Sequence, residues 1–175
     1  MLKIIVPSEE YYNESTGEFI YSKEETILLE HSLLSVSKWE SKWKKPFISD
    51  KEKTKEELCD YIECMTLNRD ELTDDVYSHL TYQNIKDITD YMADSMTATT
   101  VKHEGPSGHR VTTSELIYAW MAILHIPFEC EKWHLNRLLM LIDVCNEEQK
   151  PPKKMSQAQT MKQNRALNRA RLRKR

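Results

Sequence analysis

At 175 residues, with 39% apolar and 30% charged side chains, the chain is long enough for one globular domain with an appendage and too apolar for a disordered polymer. Three glycines argue against a many-turned β-sandwich and a glycine-rich phosphate loop, leaving helices with short connections as the default class. The net charge of −3 hides an asymmetry: the ten Lys and Arg of residues 150–175 meet no acid, whereas residues 1–149 set fifteen against 28 Asp and Glu, a balance of −13 that repels nucleic acid from everything but the tail.

Leu2–Val6 reads as a strand ended by Pro7. Ser15-Thr16-Gly17 supplies a turn into Phe19-Ile20-Tyr21, and the run 26–34, bounded by polar residues, completes a small meander or else begins a helix. From Ser37 the pattern turns helical: Trp39 and Trp43 lie four apart on one face, and Pro46 stops the segment. Thr54-Lys55-Glu56-Glu57 is a capping box opening a helix on which Leu58, Tyr61, Ile62 and Met65 recur at helical spacing. Val76 with Leu80, and Ile85 with Ile88 and Met92, predict two further short helices. Gly105-Pro106-Ser107-Gly108 marks a hairpin or an excursion loop. Thr112-Thr113-Ser114-Glu115 is a second capping box, predicting a helix with Leu116, Trp120, Ile123 and Leu124 on its apolar side. His125-Ile126-Pro127 breaks it. A longer helix over residues 129–147 is expected next, with His134, Leu138, Leu141, Ile142 and Cys145 in register and Leu135 and Leu139 widening the stripe.

The expected architecture is α+β and mainly α. A small N-terminal β-meander over residues 1–35 leads into a helical bundle, completing a domain of residues 1–150 that Pro151-Pro152 ends. The basic tail, 151–175, has only Ala158, Met161, Ala166 and Ala170 as sparse apolar positions, too few to hold a helix alone. It is expected to be disordered, or helical only on a partner.

The chain carries few marks of catalysis, metal binding or membrane insertion. Leu2–Val6 is too short for a signal-peptide apolar region, and no apolar run approaches the about 18 residues of a membrane span. The chain is therefore read as cytosolic, its cysteines (Cys59, Cys64, Cys130, Cys145) reduced and its Asn13-Glu14-Ser15 sequon a coincidence. Cys59 and Cys64 diverge by roughly 140° around a helix. Cys130 and His134 are four apart and share a face. Small core residues explain these positions more simply than zinc does. There is no G-x-S-x-G, no H-E-x-x-H and no dinucleotide fingerprint, and Glu56/Glu57 and Asp74/Asp75 sit at helix starts where the macrodipole favours acids. Neither a cofactor nor catalysis is expected.

In the tail, Lys153, Lys154, Arg165, Arg169, Arg171 and Arg173 would neutralise phosphates without reading sequence. No aromatic stands among them to stack on bases, so an acidic or helical protein ranks above nucleic acid as partner. Tryptophans are core anchors by default. Trp39 and Trp43, however, stand among Lys and Glu and are followed by Lys45 and Phe47, leaving room for a partly exposed aromatic patch suited to a protein interface.

Leu29-Glu30-His31-Ser32-Leu33, Ser37-Lys38-Trp39-Glu40-Ser41-Lys42-Trp43 and Lys45-Pro46-Phe47 resemble segments of the tail assembly chaperones of bacteriophages with long non-contractile tails. So do Asp60-Tyr61-Ile62 with Cys64-Met65-Thr66, Met96-Thr97-Ala98-Thr99 and Glu115-Leu116-Ile117-Tyr118. The closest likeness is Ile126-Pro127-Phe128-Glu129-Cys130 with Trp133-His134-Leu135-Asn136-Arg137-Leu138, and Pro151-Pro152-Lys153-Lys154-Met155-Ser156 follows the same pattern. The resemblance implies a protein made in the cytoplasm of the infected bacterium and absent from the finished particle. It would bind the aggregation-prone tape measure protein and help tail tube protein polymerise around it. It further implies a longer form made by ribosomal frameshifting, for which Pro152-Lys153-Lys154 offers an A-rich slip region. The interface residues expected on this reading are Trp39, Trp43, Lys45, Phe47, Trp133, His134 and Arg137, and a homo-oligomer is compatible with it. The rival expectations are a structural virion protein of the tail or head–tail junction, and a nucleic-acid-binding accessory protein using the tail.

Overall fold

The computed structural model of the chain describes all residues but 9, 14–16, 22, 50, 102–110, 151–156 and 173–175. The class is α+β and mainly helical, as expected.

Alternation of apolar residues sets the sheet. β1 (Leu2–Val6) turns Ile4 and Val6 inward, β4 (Glu25–Leu29) turns Ile27 and Leu29 inward, and the two pair antiparallel from Leu2 opposite Leu29 to Val6 opposite Glu25. β2 (Glu10–Asn13) and β3 (Glu18–Tyr21) pair from Glu10 opposite Tyr21 to Asn13 opposite Glu18. The partner offset is the same in both ladders, so the strands are two halves of one long hairpin. It is interrupted at Pro7, which has no amide to give a ladder, and Gly17 near its tip sits at φ 71°. The N-terminal strands are thus a hairpin rather than a meander. The run 26–34 stays extended only to Leu29, pairs back onto the first strand, and becomes helix at Leu33.

The outer edge of β4 is closed from within. Glu30 N donates to Met65 O (3.0 Å) and Leu67 N to Leu28 O (2.8 Å). The Asn68 side chain then stands in for a strand: its Oδ1 accepts from Leu28 N (2.9 Å) and its Nδ2 donates to Thr26 O (3.0 Å). An edge covered this way offers no template to a foreign strand.

Helix α1 (Leu33–Trp43) begins four residues before the predicted start because Ser32 caps it, its Oγ accepting from Ser35 N at 3.2 Å. It ends at Lys44 in the left-handed region, φ 53°. Helix α2 (Lys55–Met65) opens with the predicted capping box, Glu57 N donating to Thr54 Oγ1 (3.2 Å) and Thr54 N to Glu57 Oε2 (2.9 Å). It packs on α1 through buried Tyr61, Ile62 and Met65. Val76–His79 is a 3-10 turn, and α3 (Tyr82–Ala93) buries Ile88 and Tyr91. The Gly105–Gly108 loop lies outside the described residues.

Two helices depart from expectation. α4 (Ser114–Ile123) does not use its capping box: the Thr113 side chain makes no cap bond, and Ser114 is held instead by Glu40. That contact turns Ser114, Ile117 and Met121 inward, leaves Leu116, Trp120 and Leu124 half-buried, and leaves Ile123 71% exposed. The long helix expected over 129–147 is broken. A 3-10 stretch (Phe128–Lys132) precedes α5 (Leu135–Glu148), because Ser32 bridges to His134 and Leu135 N donates to His31 O at 2.7 Å. Leu135, Leu138 and Ile142 are its buried positions. In the tail, α6 (Gln157–Leu172) is helical, and its described side chains are exposed.

Candidate protein-interaction site

Two of the aromatics expected at a surface are interior. Trp39 is 1% exposed, with its Nε1 donating to Glu57 O at 2.8 Å. Phe47 lies over Tyr61 with ring centroids 3.9 Å apart and meets the Trp39 ring edge-on at 5.2 Å. Both rings face α2, where burial of about 150–250 Å² of aromatic surface outweighs anything gained by exposure. Trp43 and Lys45 remain at the boundary with solvent: Trp43 stacks on Trp39 at 6.1 Å and donates to Asp60 Oδ2 at 2.9 Å. Lys45 Nζ binds Glu57 Oε1 at 2.6 Å and lies 5.4 Å above the Trp43 ring. The bond from Lys45, with the amide of Thr54, holds the Glu57 carboxyl below its usual range.

His134 is also interior and forms a pair that sequence reading did not foresee. The His31 and His134 rings meet edge-on at 5.1 Å, between Tyr61, Phe47 and Tyr91. The Tyr61 hydroxyl lies 2.5 Å from His31 Nδ1, and His134 Nε2 lies 3.0 Å from the Tyr91 carbonyl. A carbonyl only accepts, so His134 carries its proton on Nε2 and leaves Nδ1 as a bare acceptor, buried without a partner. Protonating it would bury an unpartnered N–H. Burial, the neighbouring His134 and Lys53 push the His31 pKa down to about 3, and burial lowers that of His134. Glu30 and Asp94 act on His134 in the opposite sense, while Tyr61 is pushed well above its usual value by burial.

The pair makes stability depend on acid. Above pH 6.5 both rings are neutral whether folded or unfolded, so they contribute no pH dependence. Below it the unfolded chain takes up protons that the folded chain refuses, and stability falls until the folded pKa near 3. His31 alone should remove about 2 kcal/mol by about pH 5, with His134 adding in the same direction. Urea midpoints measured between about pH 7 and pH 5 should fall accordingly; an unchanged midpoint would mean that the rings are not held neutral.

Exposed apolar side chains occur at several places, Leu67, Tyr82 and Val111 among them, and three fall within residues 123–137. Ile123 is 71% exposed, Phe128 55% and Trp133 38%. The Arg137 guanidinium lies 4.5 Å from the Trp133 ring centroid, a cation–π stack. Phe128 is 6.2 Å from Tyr118, whose hydroxyl donates to Glu131 Oε2 at 2.7 Å. Backbone geometry keeps this stretch outward. His125 takes a left-handed φ of 56° and Pro127 precedes the 3-10 turn, so that Ile126 and Cys130 turn into the core while Phe128 and Trp133 between and after them stay outward. Sequence reading selected Trp133 and Arg137 but passed over Ile123 and Phe128; the break at Ile126-Pro127 was the one available signal.

Of the tail residues, Arg165 and Arg169 are exposed on α6 and Arg171 belongs to the same helix, while Lys153, Lys154 and Arg173 lie outside the described residues. Among the described residues, no group of three or more His, Cys, Asp or Glu converges as metal ligands, and no helix is long and apolar enough to cross a membrane. Comparison of the chain with protein-family models, with curated proteins and with solved structures finds no match.

Proposed function

We propose that the chain is a bacteriophage tail assembly chaperone, which binds the tape measure protein in the cytoplasm of the infected bacterium and promotes tail tube assembly around it. The observation that carries this reading is a coincidence of place. The exposed stretch with Ile123, Phe128 and the Trp133–Arg137 stack overlaps the Ile126–Cys130 and Trp133–Leu138 segments in which the resemblance to that family is closest. Trp and Arg are the residue types enriched in interface hot spots, and an exposed pair of them could cover apolar stripes on a long helical partner. The acidic balance of residues 1–149, fifteen bases against 28 acids, would keep such a complex soluble. The reading includes no catalytic step and no cofactor.

Its partners are the tape measure protein, the tail tube protein and a longer frameshifted form of the chain itself. A heptameric slip site near the codons for Pro152-Lys153-Lys154, with an overlapping frame, is the mark that form should leave in the coding DNA. Co-expression with the tape measure protein of the same genome tests the main reading. The partner should become soluble and co-elute with this chain. A partner that stays insoluble, together with this chain's presence in purified particles by mass spectrometry, would assign it to the virion as a tail or head–tail component.

A further inference from the structure

Every described side chain of helix α6 is exposed. Lys162, Gln163, Asn164, Arg165 and Arg169 are exposed, as are Met161 at 62% and Leu167 at 51%. No acid occurs anywhere in residues 150–175, so no opposite-charge pair supports the helix, and Arg165 and Arg169, one turn apart, repel each other. Helix-favouring residues (Gln, Ala, Lys, Arg, Leu) supply the local preference for α6, but its described side chains add no burial and residues 150–175 no ion pair, so an anionic surface would stabilise it.

The body of this chain is not that surface. It carries fifteen bases against 28 acids and is tethered to α6 through a few residues, which sets an effective concentration on the order of millimolar. Yet no described side chain of α6 is buried. The body's carboxylates cover none of the described α6 side chains, and a partner that presents anions at higher and more regular density suits the helix better. Duplex DNA does so, with one phosphate per about 1.7 Å of axis. Its major groove, about 12 Å wide, admits a helix about 10–12 Å across, whereas the major groove of duplex RNA is too narrow. The tail lacks the aromatics that single strands stack on.

We infer that α6 is a DNA-binding helix that lies in the major groove, with Lys162, Arg165 and Arg169 on phosphates and Gln163 and Asn164 free to donate to backbone or base edges. The acidic body stays outside the groove. This second activity is independent of the tail-assembly reading.

Fluorescence anisotropy of the full chain against a labelled DNA duplex two turns long tests it. Three phosphate contacts predict a slope of about −2.7 in log affinity against log salt, an about fortyfold loss between about 50 and 200 mM. Arg165→Gln with Arg169→Gln should remove about two-thirds of that slope. The inference is overturned by absence of binding at low salt, or by equal binding of the variant. Tighter binding to duplex RNA or to oligothymidylate would also overturn it. Displacement by polyglutamate as effective as by unlabelled duplex would instead assign α6 to an acidic protein.

Discussion

Replacing Trp39 by alanine is expected to cost about 4 kcal/mol of folding stability, the largest effect of any substitution considered. The ring is fully interior and touches Trp43 and Phe47, so truncation removes both the transfer free energy and the packing of two aromatic neighbours. It also removes the indole donor from the Glu57 carbonyl, which sits 2.8 Å away at the start of α2. Those contacts join α1 to α2, so the loss is cooperative rather than local. Urea unfolding should show a lower midpoint at unchanged m-value. Trp43→Ala should cost about half as much, since that ring is only half-buried. Equal costs for the two would mean that the burial difference between them has no energetic weight.

Glu40→Ala is expected to cost about 3 kcal/mol. The Glu40 carboxylate is 7% exposed and serves three donors: Phe47 N bonds Oε1 at 2.7 Å, while Ser114 N, at 2.8 Å, and the Ser114 hydroxyl bond Oε2. One side chain on α1 thereby fixes the chain after Pro46 and the first turn of α4. Alanine strands two buried backbone amides and one hydroxyl. Glutamine recovers little, because its NH2 would face a donor where the carboxylate offers an acceptor. Hydrogen exchange should report lost protection at the amides of Phe47 and Ser114. A cost under about 1 kcal/mol, with those amides still protected, would show that the three bonds add nothing to the fold.

Those two residues also show what the sequence could and could not reveal. The capping box at Thr54 spans four consecutive residues, and short-range rules read it correctly. The same pattern at Thr112 is not formed: the helix starts one residue later, after Thr113, where Glu40, 74 residues away in the chain, holds Ser114. After Glu115 every residue of α4 but Tyr118 is apolar, so periodicity gave little basis for choosing the inward face. His134 fell in register with Leu138 and Ile142 and read as part of one helix. What breaks the helix there is pairing with Ser32 and His31, about a hundred residues earlier in the chain. The hairpin register is likewise a long-range property. At the candidate site, residue type selected Trp133 and Arg137, but exposure is decided by turns, and the same reasoning put Trp39 and Phe47 at a surface that the α1–α2 contact covers.

Chaperone activity of the proposed kind requires the 123–137 surface to hold the tape measure protein. Its most direct test is the affinity of that protein for the parent chain and for Trp133→Ala with Arg137→Ala. Both side chains lie at the surface, so the pair should leave urea stability within about 1 kcal/mol of the parent. This variant should bind at least about tenfold more weakly while remaining folded. Parent-like affinity, or a loss seen only when the variant unfolds, would contradict that requirement.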